Sequence, residues 1–498
     1  MLAVEDTRTP FGIPPAFNLA DHVLWKNGAD ADKVALTVLN PSGSERWSYA
    51  RLRQRVLATG GALRAVGLAP GDRLLLRLGN TTEFPLAFLG AVAAGIVPVP
   101  TSAALTTAEV DRIAAVLAPA AVLAGDGIAL PGGVRRMTMD DLPDTAPLPA
   151  PVMTDPETPA YIVFTSGTSG NPVGVIHAHR AILARRMMFA GWYGLRPDDR
   201  VLHAGAFNWT YTLGTGLLDP WTVGATALIP GPGVSPDVLP LLLRRHEATI
   251  LAGAPGVFRR LLRQERPAYP RLRHGLSAGE KLPASLRERW RETTGTDIHE
   301  AFGQSECSTF ISGAPDRPAP PDALGFAQPG RAVAILGQDG PVVRGQTGEI
   351  AVHRTDPGLM LGYLGAAAPR FDGPWFRTGD TGVMREDGAI FYAGRNDDVL
   401  TAGGFRLSPL EIEEAMGRFP GIEDAAAVDH PLDAETVVVA LHYAASAPLA
   451  EDALRDHAAR HLARHKQPRL FIHHTSLPRN PNGKLLRRRL RTDNEAGS

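Results

Sequence analysis

Residues 161–175 run from the apolar Tyr161, Ile162, Val163 and Phe164 into Thr165, Ser166, Gly167, Thr168, Ser169, Gly170 and then Asn171, Pro172 and Val173. Such a loop can wrap phosphate. Its glycines let backbone N–H groups converge on an anion, and the hydroxyls of Thr165, Ser166, Thr168 and Ser169 add donors. The same composition also suits an ordinary turn, and composition alone does not choose between the two. A Walker loop is excluded, because Gly-x-x-x-x-Gly-Lys-Ser/Thr occurs nowhere in the chain. Residues 301–306 set Ser305 beside Glu306, a carboxylate of the type that hard cations prefer. Asp380, at the end of residues 376–380, can accept hydrogen bonds from two neighbouring hydroxyls, although an acid in a glycine-containing turn is ordinarily structural. Lys484 precedes Arg487, Arg488, Arg489 and Arg491, and in isolation it reads as part of a solvated basic tail. Arg395 has Asp397 and Asp398 close by as surface partners. Phe207, Asn208, Trp209 and Tyr211 form an aromatic cluster that could line a flat apolar pocket or simply fill a core. His177 and His179 have a metal-like spacing, but no further ligand lies near them.

Stepping outward, the elements that must position these residues alternate. Leu52, Val56, Leu63 and Val66 recur at helical spacing, Gly67 follows as a stop, and residues 73–78 read as a buried strand. The pattern repeats around residues 87–100 and 114–124, and again with strands at 227–229, 248–252 and 272–278. This predicts α/β layers with largely parallel sheets. From about residue 325 to 394 the texture becomes short β segments separated by glycine-rich turns, and after Asp398 an α+β tail follows, with helices at 409–418 and 449–465 and a strand at 435–443.

The 498 residues carry 51 Lys+Arg against 52 Asp+Glu, a formal net charge of −1, so no overall field draws the chain to nucleic acid. The apolar stretch 87–100 is broken by Gly90, Gly95 and Pro98 and is shorter than the ~20 residues a spanning helix requires, so no stable membrane insertion is expected. Cys307 is the single cysteine, which excludes an intramolecular disulfide and suits a reducing compartment. With acids instead of a basic, apolar leader at the N-terminus, a cytoplasmic location is expected.

Taken in order, the motifs resemble those of the adenylate-forming superfamily, which includes acyl- and aryl-CoA synthetases, peptide-synthetase adenylation domains and firefly luciferase. The chain is most similar to an AMP-dependent acyl- or aryl-CoA synthetase of the benzoate-CoA ligase type. Residues 165–174 resemble its Thr-Ser-Gly-Thr-Thr-Gly-x-Pro-Lys-Gly signature, 301–306 its Tyr-Gly-x-Thr-Glu element and 376–380 its Thr-Gly-Asp element. Residues 394–398, 403–406 and 409–413 resemble its hinge region, and 478–484 its C-terminal lysine motif.

The resemblance implies an α/β fold: a large N-terminal domain, 1–397, with two doubly wound sheets and a β-rich subdomain at about 325–394, plus a small mobile α+β C-terminal domain, 398–498. It implies ATP, Mg²⁺ and coenzyme A, acting on a small carboxylic acid that is first adenylated and then passed to the thiol. A separate acyl carrier protein as acceptor, or a degenerate nucleotide-binding homologue, is the alternative, and the oligomeric state stays open, a homodimer included. By the same resemblance Lys484 bridges the acid carboxylate and the α-phosphate, Ser305 contacts that phosphate and Glu306 holds Mg²⁺. The nucleotide falls to Thr165, Ser166, Gly167, Thr168, Ser169, Gly170, Gly279, Glu280, Lys281, Phe302, Gln304, Asp380, Arg395 and Arg406. The acid falls to Phe207, Asn208, Trp209, Tyr211 and Gly303, the hinge to Asp398, and an acceptor tunnel to Gly403 and Gly404. Asn208 stands where amino-acid-activating domains carry an aspartate, and a neutral amide does not repay desolvation of an ammonium, so a neutral aryl or medium-chain acid is expected. Two departures bear on ATP: Val173 replaces the signature lysine, and Thr401 stands where many members have a lysine. Losing one charge-assisted phosphate contact costs about 1.5–3 kcal/mol, so an impaired or rearranged ATP site is expected.

Overall fold

The computed structural model describes residues 1–10, 12–166, 172–263, 268–365, 368–395, 400–402, 405–432, 437–479 and 485–492. Packing divides the chain into two compact units: Glu5–Val333 with Val352–Phe376, and Met1–Val4 with Ala334–Ala351 and Arg377–Ser498.

In the larger unit, Val34–Asn40, Thr226–Pro230, Arg200–His203, Ile250–Gly253, His274–Ala278 and Asp297–Gln304 lie side by side as parallel strands. Parallel strands are covered on both faces, and accordingly every residue of Ile250–Gly253 and His274–Ala278 is buried. Antiparallel Gly43–Ser48 flanks one side, and Ser308–Ser312 with Ala323–Ala327 extends the other. The helix Ala284–Thr294 shows why its sequence folds locally. Leu286 and Trp290, four residues apart, form its buried stripe, and it stops at Gly295 in the left-handed region. The Trp290 ring meets Phe258 edge-on at 5.1 Å within a cluster that includes Leu202, Leu228 and Leu251.

A second parallel sheet, Val97–Pro100, Arg73–Arg77, Ala121–Ala124 and Arg136–Met137, accompanies the helices Tyr49–Ala65, Glu83–Ala93 and Thr107–Leu117. The last helix starts on a reciprocal capping box between Thr106 and Glu109. The apolar stretch 87–100 is a helix, a turn and a strand, as its glycines predict. Among the described residues no helix is long and apolar enough to cross a membrane. A third sheet is antiparallel, with Gly362–Leu364 paired to Pro172–Ala178 and that strand paired to Pro159–Ser166.

The smaller unit contains the antiparallel pairing of Asp380 with Arg395 through Met384 with Ile390. It also holds the sheet Asp424–Pro431, Val437–Ala444 and Leu470–His474, with helices Pro409–Gly417 and Glu451–His461. Leu400, Leu407, Ile412, Met416, Leu441 and Leu454 form its core. The expected β-rich stretch contains Ala332–Leu336, Thr347–His353, Trp375–Met384 and Ile390–Arg395, and packing assigns parts of it to each unit. The expected boundary after residue 397 lies outside the described residues.

Two π-helical turns, Phe189–Tyr193 and Thr212–Leu218, were not legible as such, since their apolar spacing fits several helical periods. Between them sits a buried ion pair: Arg185 donates Nε and Nη2 to the Asp219 carboxylate at 2.7 and 2.6 Å. Tyr193 adds its hydroxyl to Asp219 at 2.7 Å. Burial alone would drive the guanidinium pKa down, but the Asp219 charge overrides it and the result is raised. Breaking one side of such a pair leaves a buried uncompensated charge, so Asp219→Ala should destabilise the protein by about 3–5 kcal/mol. A thermal melt unchanged by this substitution would show that Arg185 has another partner of equal worth.

Candidate functional site

In the larger unit the strand Pro159–Ser166 delivers Thr165 and Ser166 to the end of a hairpin, where Thr165 lies opposite Val173 and Ser166 opposite Pro172. Gly167, Thr168, Ser169 and Gly170 lie outside the described residues. Val173 is half-buried in an antiparallel ladder, a setting that favours a β-branched side chain.

The strand Asp297–Gln304 ends in a sharp reversal. Its pairing with Ser308–Ser312 shifts register between Phe302 and Gly303, and a Cβ on Gly303 would lie 2.0 Å from the Ser308 carbonyl oxygen. Only glycine fits there. Phe302, Gly303, Gln304, Ser305 and Glu306 are all half-buried, between the buried Ala301 and Cys307. Phe302 meets Phe310 edge-on at 5.4 Å. The carboxylate of Glu306 accepts the Tyr363 hydroxyl at 3.0 Å, and its carbonyl accepts the Met360 N–H at 2.7 Å. A half-buried carboxylate is a hard oxygen donor that suits Mg²⁺ as one ligand among phosphate oxygens.

Gly279 follows the strand His274–Ala278 at φ +92°, and a Cβ there would lie 2.4 Å from the Trp209 ring. The segments 279–281 and 207–211 are therefore in contact. Lys281 is turned onto Glu300 at 2.8 Å, and Glu300 also accepts the Leu282 N–H at 2.8 Å. Glu280 is half-buried.

Within residues 207–211 the aromatics divide. Phe207 is buried and stacked on Phe84 at 4.7 Å, so it packs as core and offers no open surface. Tyr211 is buried, with its hydroxyl donating to the Leu276 carbonyl at 2.8 Å. Trp209 and Asn208 stay half-buried, and Trp209 meets Tyr211 edge-on at 5.1 Å. Asn80, a residue the sequence did not single out, shapes this segment by donating to the Gly205 carbonyl at 2.9 Å and accepting the Phe207 N–H at 3.1 Å. His203, buried beside Tyr211, is pulled down to about 3 by burial and so is neutral.

His177 and His179 are buried and held near pKa 4, chiefly by desolvation. His177 stacks on Tyr161 at 4.7 Å, and His179 accepts the Leu19 N–H at 3.0 Å. Among the described residues no group of three or more metal-ligating side chains occurs. Cys307 is a buried thiol 3.6 Å from the Asp356 carboxylate.

In the smaller unit Asp380 is cross-strand from Arg395. Its Oδ1 accepts the Tyr392 hydroxyl at 2.7 Å, and Arg395 Nη1 stands 3.9 Å from Oδ2. The turn leading to it is fixed by Glu349, which accepts the Gly379 N–H at 2.8 Å and pairs with Arg377 at 3.0 Å. Tyr392 and Glu349 carry no motif signal in a single sequence. Arg406 is placed only by its backbone pairing with Thr401. Asp398, Gly403, Gly404 and Lys484 lie outside the described residues. The neighbours of the lysine segment, Arg479 and Leu485, are antiparallel bridge partners. The basic tail is docked: Arg487 binds Glu413 through Nη2 at 2.8 and 2.7 Å, Arg491 pairs with Asp429, and Leu490 is buried.

The family model described as AMP-binding enzyme matches residues 24–364, and the AMP-binding enzyme C-terminal domain matches 411–484. A benzoate–CoA ligase of Thauera aromatica is 30% identical, covering 99% of each chain. A 3-hydroxybenzoate–CoA ligase of Aromatoleum sp. (strain CIB) is 31% identical, covering 97% of this chain and 98% of the relative. Among solved structures, a benzoate CoA ligase from Burkholderia xenovorans LB400 superimposes with a TM-score of 0.85 at 26% identity, covering 95% of this chain and 100% of that one. ATP-bound MatB from Rhodopseudomonas palustris does so with 0.87 at 26%, covering 96% and 98%.

The Gly279–Trp209 contact is directly testable. An alanine there needs a left-handed backbone, costing about 1–2 kcal/mol, and must also displace the indole. Gly279→Ala should lower stability by at least that amount and shift the tryptophan emission. Gly256→Ala, in the helix Pro255–Leu261 with nothing within 4 Å of the new Cβ, should be neutral or stabilising. Equal melts for the two variants would remove the contact's importance.

Proposed function

The chain belongs to the AMP-binding enzyme family, and on that premise we propose that it is an AMP-forming acid–thiol ligase that joins an aryl or medium-chain carboxylic acid to coenzyme A. The observation that carries this reading is the end-to-end match to a benzoate–CoA ligase, 30% identical over 99% of both chains. In the first half-reaction a carboxylate oxygen attacks the α-phosphorus of ATP and pyrophosphate leaves. In the second, the coenzyme A sulfur attacks the acyl carbon, its proton is lost, and AMP departs with the C–O electron pair. Adenylation supplies the leaving group that a free carboxylate lacks.

The roles follow the motifs. Thr165, Ser166, Gly167, Thr168, Ser169 and Gly170 cradle the phosphates, helped by converging backbone donors. Phe302 offers its ring to adenine, with Gly279, Glu280, Lys281 and Gln304 at the same nucleotide, although Lys281 is committed to Glu300 and contributes mainly its stem. Asp380 accepts the ribose hydroxyls, and Arg395 and Arg406 add cationic donors. Ser305 contacts the α-phosphate and Glu306 would hold Mg²⁺, which when bound offsets phosphate charge. Lys484 bridges the acid carboxylate and the α-phosphate, where negative charge concentrates in the transition state. The acid rests against Trp209 and Asn208, with Gly303 giving it close approach to the reversal. Asp398 is the hinge of the C-terminal domain 398–498, and Gly403 and Gly404 line the acceptor's path. The single buried cysteine supports a cytoplasmic location.

Pyrophosphate release against a panel of acids tests the reading. Benzoate-like and medium-chain acids should exceed amino acids, and coenzyme A should exceed acyl carrier proteins as acceptor. Silence across the panel would favour a nucleotide-binding homologue without activity. Lys484→Ala should abolish adenylate formation while sparing thioester formation from supplied acyl-adenylate, and equal loss in both halves would sink its assigned role. Val173→Lys should lower KM for ATP about 10-fold, because a half-buried strand position lets the stem lie along the sheet while the ammonium reaches phosphate. A flat ATP response with a lower melting point would mean that the loop is rearranged around valine.

A further inference from the structure

Tyr363 belongs to none of the segments assigned a role above, yet it lies at a junction of contacts within the larger unit. Its strand, Gly362–Leu364, forms the edge of the hairpin that carries the phosphate loop, with Tyr363 opposite Val175 and Leu364 opposite Gly174. Just before it, the Leu361 N–H donates to the Ile176 carbonyl at 2.8 Å, and the Met360 N–H donates to the Glu306 carbonyl at 2.7 Å. The start of the same segment is anchored at Asp356, which forms a buried ion pair with Arg331, accepts the Gly358 N–H at 2.8 Å and receives the Cys307 thiol. Residues 356–364 therefore run as a strap from the hairpin strand Pro172–Ala178 to Glu306 and Cys307. The strap ends in the Tyr363 hydroxyl on the Glu306 carboxylate at 3.0 Å.

We propose that Tyr363 is a positioning residue: its phenol fixes the rotamer of Glu306, and its strand ties that carboxylate to the strand Pro172–Ala178. The inference rests on the functional reading above and adds a residue to it. A glutamate has three side-chain torsions to restrain, and a metal ligand held by an outer donor loses less freedom on binding. A phenol suits the task because it orients a carboxylate without bringing a charge of its own. A tyrosine hydroxyl, with an ordinary pKa of about 10, is a donor at neutral pH.

Calorimetric titration of the full chain with ATP at graded Mg²⁺, without any acid substrate, tests the role independently of turnover. Tyr363→Phe keeps the ring and should raise the Mg²⁺ concentration for half-maximal ATP binding about 10-fold, leave Mg²⁺-free ATP binding unchanged and preserve the melting temperature. In a Glu306→Gln background the same substitution should produce no further shift, because the partner it acts through is gone. An unchanged Mg²⁺ dependence in Tyr363→Phe, or a full shift that persists with Glu306→Gln, overturns the inference. A wild-type chain that binds no Mg-ATP overturns the functional reading itself and takes this inference with it.

Discussion

A parallel strand that must stop, reverse within a few residues and leave its last side chains accessible is the constraint on which the larger unit depends. The reversal after Gln304 meets it by bringing the backbone at Gly303 against that of Ser308 and Thr309, closer than any side chain would permit. Ser308 then sits at φ +61°, a conformation that costs energy for a non-glycine residue. Arg185 donates to the Ser308 hydroxyl, and its burial there is compensated by the Asp219 carboxylate, which also accepts the Tyr193 hydroxyl. The buried ion pair thus serves the turn more than it serves stability, since replacement of such pairs by apolar groups is often neutral or stabilising.

The carboxylates of the chain separate by the kind of donor they meet. Glu300 is held by Lys281, and Glu413 by the fork of Arg487, even though burial raises its pKa against that cation. These are anchors: one fixes the segment after Gly279, the other docks the residues that follow the lysine motif. Glu306 and Asp380 each accept a tyrosine hydroxyl, in separate units, and Asp380 also has Arg395 at 3.9 Å. A tyrosine hydroxyl sets the direction of a carboxylate without bringing a charge of its own.

Much of this could be read from the chain. The alternation of helix and strand, the buried runs at 250–253 and 274–278 and the helix 409–417 follow from periodicity and stop signals that act over a few residues. The motif residues were visible because phosphate and cation chemistry restricts residue type at fixed spacing. What stayed hidden acts across long separations. Asn80 reaches Phe207 from 127 residues away, and Tyr363 reaches Glu306 across 57. Nothing local marks an asparagine or a tyrosine for such a task. Phe207 misled for the opposite reason: an aromatic beside a strand end looks the same in sequence whether it faces a pocket or, as here, Phe84.

The contact between Gly279 and Trp209 has a consequence for selectivity. The segment proposed to meet the nucleotide and the segment proposed to meet the acid touch through one indole edge and one missing Cβ. Trp209 in turn braces against Tyr211, whose hydroxyl is tied to the strand that ends just before Gly279. Close packing transmits displacement where a loose pocket would absorb it. An acid too large for the half-buried space beside Trp209 and Asn208 would therefore push on the backbone that presents Glu280 and Lys281. Discrimination between acids would then register in adenylation as well as in binding, because the wrong acid would disturb the geometry in which its own carboxylate must attack.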